Sequence, residues 1–404
     1  MKKKSLTQHV CPMTVLGAAC LASGAQAQDI LKPSPVTTAL SSTTISGYVD
    51  TSAIWNPGTG NANAPGYIFG GGSAKTDGFN LNVVKLVLER DPDLSDPWSA
   101  GYKVDLLFGP DAVTYGTQPF GTAAGPAAVK QAYVDLRAPL GNGVEFKVGV
   151  WDTILGYEVF ETPLNPNFTK SYGYTIEPAT FTGVQGTYNI NEYFAVTAAV
   201  ADTLGSSINA RPFPPQGTKA ESYKAYLGDI SLTAPGNWGW FSGSTLFGAV
   251  VTGYNPISPT GGPADQTSFY VGSQIMTPIK ALTFGAAYDY AGLRKQAPGL
   301  GSYANAVGFY AHYQATDKLA FNSRAEWFTQ SPSLAIGGLP SKILALTETV
   351  QYSLWDNVIT RAEVRWDHQA DGLPNDFGGS VAGVGNPGNQ RNSVAVIANV
   401  TYKF

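Results

Sequence analysis

The chain has 404 residues, of which only 13% are charged, 12% are aromatic and 46 are glycine, and its formal net charge is −4. A soluble globular protein usually carries about a quarter charged residues, so the composition argues against that class, and no basic stretch offers a nucleic-acid footprint. Past the amino terminus no apolar run reaches the roughly eighteen residues of a membrane helix, so a membrane protein of this kind must cross with strands.

Met1-Lys-Lys-Lys4, an apolar run from Val10 to Ala22 and Ala25-Gln26-Ala27 form a basic n-region, a short h-region and an Ala-x-Ala site. A cleaved secretory signal peptide over 1–27 is expected. Cys20 prompts a lipoprotein reading, but Gly17 stands where a lipobox needs leucine. Cys11 and Cys20 both fall inside the removed segment, so the mature chain would hold no disulfide. Removal takes three lysines and no acids, leaving 22 basic against 29 acidic residues, a net of −7. Residues 28–43, with Pro33 and Pro35, read as an extended periplasmic lead-in, and 44–404 as one all-β domain.

From Thr44 onward, alternating segments are separated by connections of two lengths that alternate strictly. Short ones include Asp91–Pro97, Pro139–Gly143, Thr277–Lys280 and Trp355–Asn357. Long Gly/Pro/Asn-rich ones include 56–77, 109–127, 152–177 and 370–390. They delimit sixteen strands, at roughly 44–55, 78–90, 99–108, 128–138, 142–151, 178–189, 192–203, 222–234, 239–254, 266–277, 280–291, 302–315, 318–330, 341–353, 357–369 and 391–404. The pattern predicts a 16-stranded antiparallel transmembrane β-barrel, with short periplasmic turns, long extracellular loops and both termini on the periplasmic side.

Parity assigns the faces. In 357–369, Arg361, Glu363, Arg365 and Asp367 alternate with Ala362, Val364 and Trp366. A base at the bilayer midplane costs about 2–4 kcal/mol, so the charged set must face a wet interior. The same reasoning turns Tyr133, Asp135 and Arg137, Glu145 and Lys147, Tyr310 and His312, and Arg324 and Glu326 inward, with Lys103 among them. Lys85 joins only if a bulge interrupts the slipped alternation at Val83–Val84, and Glu348 shares a parity with Leu346 and Val350. Aromatics near strand ends, including Trp98, Trp151, Trp238, Trp240, Trp327, Trp355, Tyr402 and Phe404, suit interfacial girdles. In the last strand, Val394, Val396, Ala398, Val400, Tyr402 and Phe404 form one oily face. Its aromatic end resembles the closing strand of bacterial outer-membrane barrels, and the resemblance implies that Tyr402 and Phe404 signal to the barrel-assembly machinery.

A barrel this wide leaves an aqueous channel, and whatever narrows it decides what passes. The third long connection is dense in Ile154, Leu155, Val159, Phe160 and Phe168, which a solvated loop has no use for. Folding inward would bury them. Within and after it, Gly156-Tyr-Glu158, Asn165-Pro-Asn167, Ser171-Tyr172, Glu177-Pro178 and Thr182-Gly-Val184 resemble the OmpL-like, second β-barrel porin family. That resemblance implies an outer-membrane porin for passive diffusion of small hydrophilic solutes, narrowed by this loop, with outer-membrane lipid around it. The acidic run of the general-porin eyelet is missing, so selectivity does not carry over.

Glu158 and Glu161 are expected to face Lys85, Lys103 and Arg137 across the opening and set up a transverse field. The alternative is local pairing, as of Glu161 with Lys170. Tyr157, Tyr172 and Tyr174 would stack on sugar rings in a sugar-selective porin, or pack the loop against the wall. A barrel-anchored surface-binding protein is the other alternative. An enzyme is not expected: the mature chain has only His312 and His368, and Asp367 points to the opposite face from its neighbour His368. No cofactor or metal is expected, since Asp91, Asp93 and Asp96 read as turn chemistry. A homotrimer is compatible with outward small residues such as Gly228 and Gly272.

Overall fold

The computed structural model describes residues 36–37, 43–57, 75, 77–118, 125–211, 223–255, 264–293, 302–331, 339–373, 376–379 and 388–404. The expected signal peptide, most of the lead-in and parts of the long connections lie outside these residues.

A two-residue strand, β1 (Val36–Thr37), precedes sixteen long ones: β2 (Thr44–Trp55), β3 (Gly78–Arg90), β4 (Ser99–Phe108), β5 (Ala127–Ala138), β6 (Val144–Asp152), β7 (Thr180–Asn191), β8 (Phe194–Ala201), β9 (Ala225–Thr233), β10 (Thr245–Asn255), β11 (Ala264–Met276), β12 (Leu282–Leu293), β13 (Ser302–Gln314), β14 (Leu319–Gln330), β15 (Lys342–Trp355), β16 (Val358–Gln369) and β17 (Asn392–Lys403). From β2 to β17 each strand pairs antiparallel with the next, and β17 pairs with β2, from Val396 opposite Trp55 to Lys403 opposite Tyr48. The barrel is closed, which removes the free edge that lipid would not tolerate. At the seam, Gly47 and Phe404 exchange two backbone hydrogen bonds of 3.0 Å, and β1 continues the ladder on Thr44 and Ile45. Both ends of the barrel chain lie at the end carrying the short connections.

The expected strand borders agree with these to within a few residues, except at β10. There Gly239–Phe241 is a 3-10 turn and the strand starts at Thr245. Gly239 and Gly243 take positive φ there, a turn conformation that pairing does not continue. Two short helices absent from the pattern, α1 (Pro110–Tyr115) and α2 (Tyr172–Ile176), sit in long connections. Among the described residues no helix is long and apolar enough to cross a membrane.

The face assignment follows burial. On β17, Ala395, Ile397, Asn399 and Thr401 are buried inside, while Val396, Val400 and Tyr402 are exposed on the outer wall. A bulge at Asn82, where Asp50 opposes Val83 but Thr51 opposes Leu81, turns Lys85 inward. A second bulge opposite Asp105 and Leu106 leaves Lys130 unpaired in the ladder, so that Lys130 and Gln131 are both buried. Glu348 is exposed on the outer wall and accepts a hydrogen bond from Ser323. Two expectations need correction. Trp151 belongs to no girdle: it is 1% exposed and packs inside against Ile154, Leu155 and Phe181. Gly272 is not on the outer wall, because it alternates with outward Val271 and the Tyr270 hydroxyl folds over it.

Candidate functional site

The loop between β6 and β7, residues 153–179, enters the barrel. At its root Ile154 and Leu155 pack with Trp151, Tyr133, Phe181 and Phe247, and the Tyr157 ring stacks on Tyr310 with centroids 4.0 Å apart. Phe168 packs on Ile54, Ala395 and Ile397, while Tyr172 and Ile176 of α2 pack on Ala304, Ala306 and Phe328. The apolar side chains of the loop thus find the inner wall, since burying each contributes about 1.5–3 kcal/mol.

A loop lying inside a barrel must satisfy its own peptide groups, and charged side chains of β14 and β16 do this. The Glu363 carboxylate accepts from the Phe168 and Thr169 amides at 2.6 and 2.9 Å, and Glu326 accepts from the Tyr172 amide at 2.6 Å. In return, Arg361 donates to the Thr162 and Asn165 carbonyls at 3.1 and 2.9 Å, and Arg365 to the Lys170 carbonyl at 2.7 Å. Arg324 donates to the Thr169 carbonyl at 2.6 Å and to Glu158 at 2.7 Å. Arg365 also lies over the Tyr172 ring, whose hydroxyl donates to Asp367 at 2.8 Å. All six wall residues are at most 3% exposed. They face inward, but the loop covers them.

On the far side Glu161 pairs with Lys85, and with Lys130 at 3.1 Å. Lys85 also reaches Asp105 at 2.9 Å, and Lys130 pairs with Asp152, which accepts from the Tyr115 hydroxyl at 3.1 Å. Burial alone would raise the Glu161 carboxyl, yet Lys130 and Lys85 hold it well below the usual carboxylate range. The two acids therefore part company. Glu161 meets early-strand bases, whereas Glu158 turns to Arg324 on the opposite wall. Lys103 pairs with Glu89 at 2.7 Å and Arg137 with Glu145 at 3.1 Å, each on its neighbouring strand. Lys170 makes no ion pair with Glu161, donating instead to the Val159 and Phe160 carbonyls at 2.6 and 3.0 Å. Burial brings the Lys170 ammonium down to about 8. Lys147 sits 5.0 Å from the Tyr133 ring centre, with Asp135 opposite it in the ladder. His312 meets Asn322 at 2.6 Å, and His368 meets Asn392 at 2.9 Å, away from Asp367.

The loop motifs have local causes. Asn165 accepts from the Val159 amide at 2.9 Å and donates to its carbonyl at 2.6 Å, closing a small ring within the loop. Ser171 caps α2 by accepting from the Tyr174 amide at 3.1 Å. Gly156, at φ 111°, leaves room for the Glu177 carboxyl. Gly183 lets β7 lie close on β8, since a Cβ there would collide with the Val200 carbonyl oxygen and also lie 3.0 Å from the Trp151 indole.

Between the loop and the β3–β7 wall is a cavity of about 410 Å³. Lys85, Lys103, Lys130, Lys147 and Lys170 line it together with Asp105, Asp152, Glu158, Glu161 and Glu177, and Tyr174 is beside them. Its lining formal charge is balanced. Parity reasoning missed Lys130, although a charge on the outward parity of Val134 and Leu136 was the trace of its bulge, and Asp152, which ends a strand. Asp105, two residues from Lys103 on the same face, was readable.

A family model described as "Putative beta-barrel porin-2, OmpL-like" matches residues 42–404. The chain belongs to that family. It is an outer-membrane porin, a channel for passive diffusion of solutes that crosses the bilayer with strands. No curated relative matches the porin. Among solved structures it is similar to the outer membrane channel DcaP of Acinetobacter baumannii, with 11% identity, TM-score 0.58, and coverage of 92% of this chain and 100% of that one. It is also similar to an anion-selective porin from Comamonas acidovorans, with 12% identity, TM-score 0.61 and coverage of 90% and 99%. A trimer form of OmpT of Vibrio cholerae gives 16% identity, TM-score 0.54 and coverage of 90% and 99%. At these identities the likeness is one of fold.

Proposed function

We propose that solutes cross this porin between the 153–179 loop and the β3–β7 wall, through the cavity lined by the five lysines and five acids. The observation that carries this reading is the clamp on the opposite side. Because Arg324, Arg361, Arg365, Glu326 and Glu363 bind the loop backbone, the loop is held against β14–β16, and a cavity is left towards β3–β7. Interleaved charges of both signs, such as Lys85 and Lys130 around Glu161, favour small hydrophilic solutes without a strong preference for either sign. The sharp transverse field expected from opposed rows is replaced by this mixture. A sugar-stacking role falls to Tyr174 alone, since Tyr157 stacks on Tyr310, and Tyr172 is buried between Arg365 and Phe328.

The same reading takes residues 1–27 as a cleaved signal peptide, 28–43 as the lead-in, and Tyr402 and Phe404 as the mark met by the barrel-assembly machinery. It makes the protein a channel rather than an enzyme. A homotrimer is favoured by Glu348, which stands midway along β15 on the outer wall among exposed Leu346 and Val350, where a second copy would shield it from lipid. Planar-bilayer recording with purified protein tests the channel. Stable open steps, together with liposome swelling in small sugars and amino acids, are the expected result. A correctly folded barrel that passes no current would instead support the barrel-anchored surface-binding alternative.

A further inference from the structure

The loop ends in a carboxyl group that meets no base among the described residues. Glu177 follows α2, and its carboxyl lies within hydrogen-bond reach of the Asp289 carboxyl on β12. Glu177 Oε2 and Asp289 Oδ1 are buried and accept from no amide or hydroxyl among the described residues. Two loop glycines are shaped around the pair, for a Cβ at Gly156 would collide with Glu177 Oε2 and one at Gly173 with Asp289 Oδ2. The surrounding charges do not help. Glu158 on the same loop and Glu326 on β14 are acids, Arg324 is engaged by both of them, and Tyr270 on β11 and Tyr157 bring only rings and hydroxyls.

Two carboxylates in contact, without a cation, cannot both be ionised in a buried site, whereas one proton between them makes a short hydrogen bond. We propose that the Glu177 and Asp289 carboxyl groups share one proton and form a pH-sensitive latch that holds the descending end of the loop on β12. Burial, and then the neighbouring Asp289, keep the Glu177 carboxyl well above its usual range. Loss of the shared proton at alkaline pH places two like charges side by side. The α2 end then leaves β12, while the β14–β16 clamp keeps the middle of the loop in place. This rests on the reading that the loop borders the solute path.

Single-channel recording between about pH 6 and about pH 10 tests it, because the span covers carboxyl pairs with strongly raised upper pKa values. The wild-type porin should give quiet steps at the acid end, and flicker and brief closures that rise about tenfold or more at the alkaline end. Glu177→Gln and Asp289→Asn each replace the shared proton by an amide donor, so both variants should stay quiet throughout. No current at any pH would remove the channel reading. Steady current with equal noise at both ends, or flicker that persists in both variants, would overturn the latch and leave the channel intact.

Discussion

Arg324 joins more of the loop to the wall than any other inward side chain, with Glu158, Glu326 and two loop carbonyls around one guanidinium. Replacing it by leucine leaves buried Glu158 without its base and Glu326 with only Arg365, at 3.7 Å, a loss on the order of 3–5 kcal/mol. Arg324→Leu should therefore lower the temperature at which the folded band disappears on electrophoresis, and make the open-channel current noisier. Lys170 tests charge balance. Its ammonium, under the acids Glu158 and Glu161 of the loop, Asp111 of α1 and Asp50 of β2, and 5.2 Å from the Tyr174 ring centre, is brought down to about 8 by burial. Because a lowered pKa means the positive charge disappears as pH rises through it, the cavity becomes more acidic above about pH 8. The reversal potential in a salt gradient should shift towards cation preference between about pH 7 and about pH 9, and Lys170→Gln should show that preference at both. Glu177 also lines the cavity, so loss of its shared proton adds to the same shift, and Lys170→Gln separates the two contributions.

At the scale of elements, the seam between β2 and β17 and the loop behave differently. The seam follows from alternation, because the oily outer set of β17 continues to Phe404, whose ring rests where Gly47 has no side chain. A Cβ there would collide with the Lys85 carbonyl oxygen and lie 2.7 Å from Phe404 Cζ. Gly47→Val is expected to cost about 1–3 kcal/mol through overpacking, and to reduce the fraction of chain that reaches the heat-modifiable folded form in a refolding assay. Inside the seam, Asp50 accepts from Asn82 at 2.7 Å and from Asn399 at 2.9 Å. The β2–β3 bulge that brings in Asn82 is therefore part of the closure. The loop was legible only in its apolar content: Ile154, Leu155 and Phe168 announced burial, but their partners on β7, β10 and β17 come from strands distant in sequence. The direction of Glu158 depends on how far the loop crosses the barrel, and no spacing encodes that.

For the molecule as a whole, the sixteen strands make a tube in which the inward charges of β14 and β16 hold one loop. On the proposed path, conduction depends on the charges along β3–β7. The outer wall is apolar apart from such places as the Glu348 and Ser323 pair on β15 and β14. If that pair faces a second copy, Glu348→Leu should lower the temperature at which the oligomer dissociates in semi-native electrophoresis while single-barrel conductance is preserved. If it faces lipid, the oligomer should be unaffected. The oligomer test is independent of both the clamp and the latch.

The sequence by itself determined the class of protein, the number of strands and the inward set, because lipid allows only one parity to carry charge and turn residues mark every reversal. Arg361, Glu363 and Arg365 face inward for that reason alone. Only the tertiary structure decided which of these charges are open to solutes. Pairing across the barrel depends on a loop path and on bulges at Asn82 and Lys130, and a bulge changes the face of a residue without changing its neighbours in the chain.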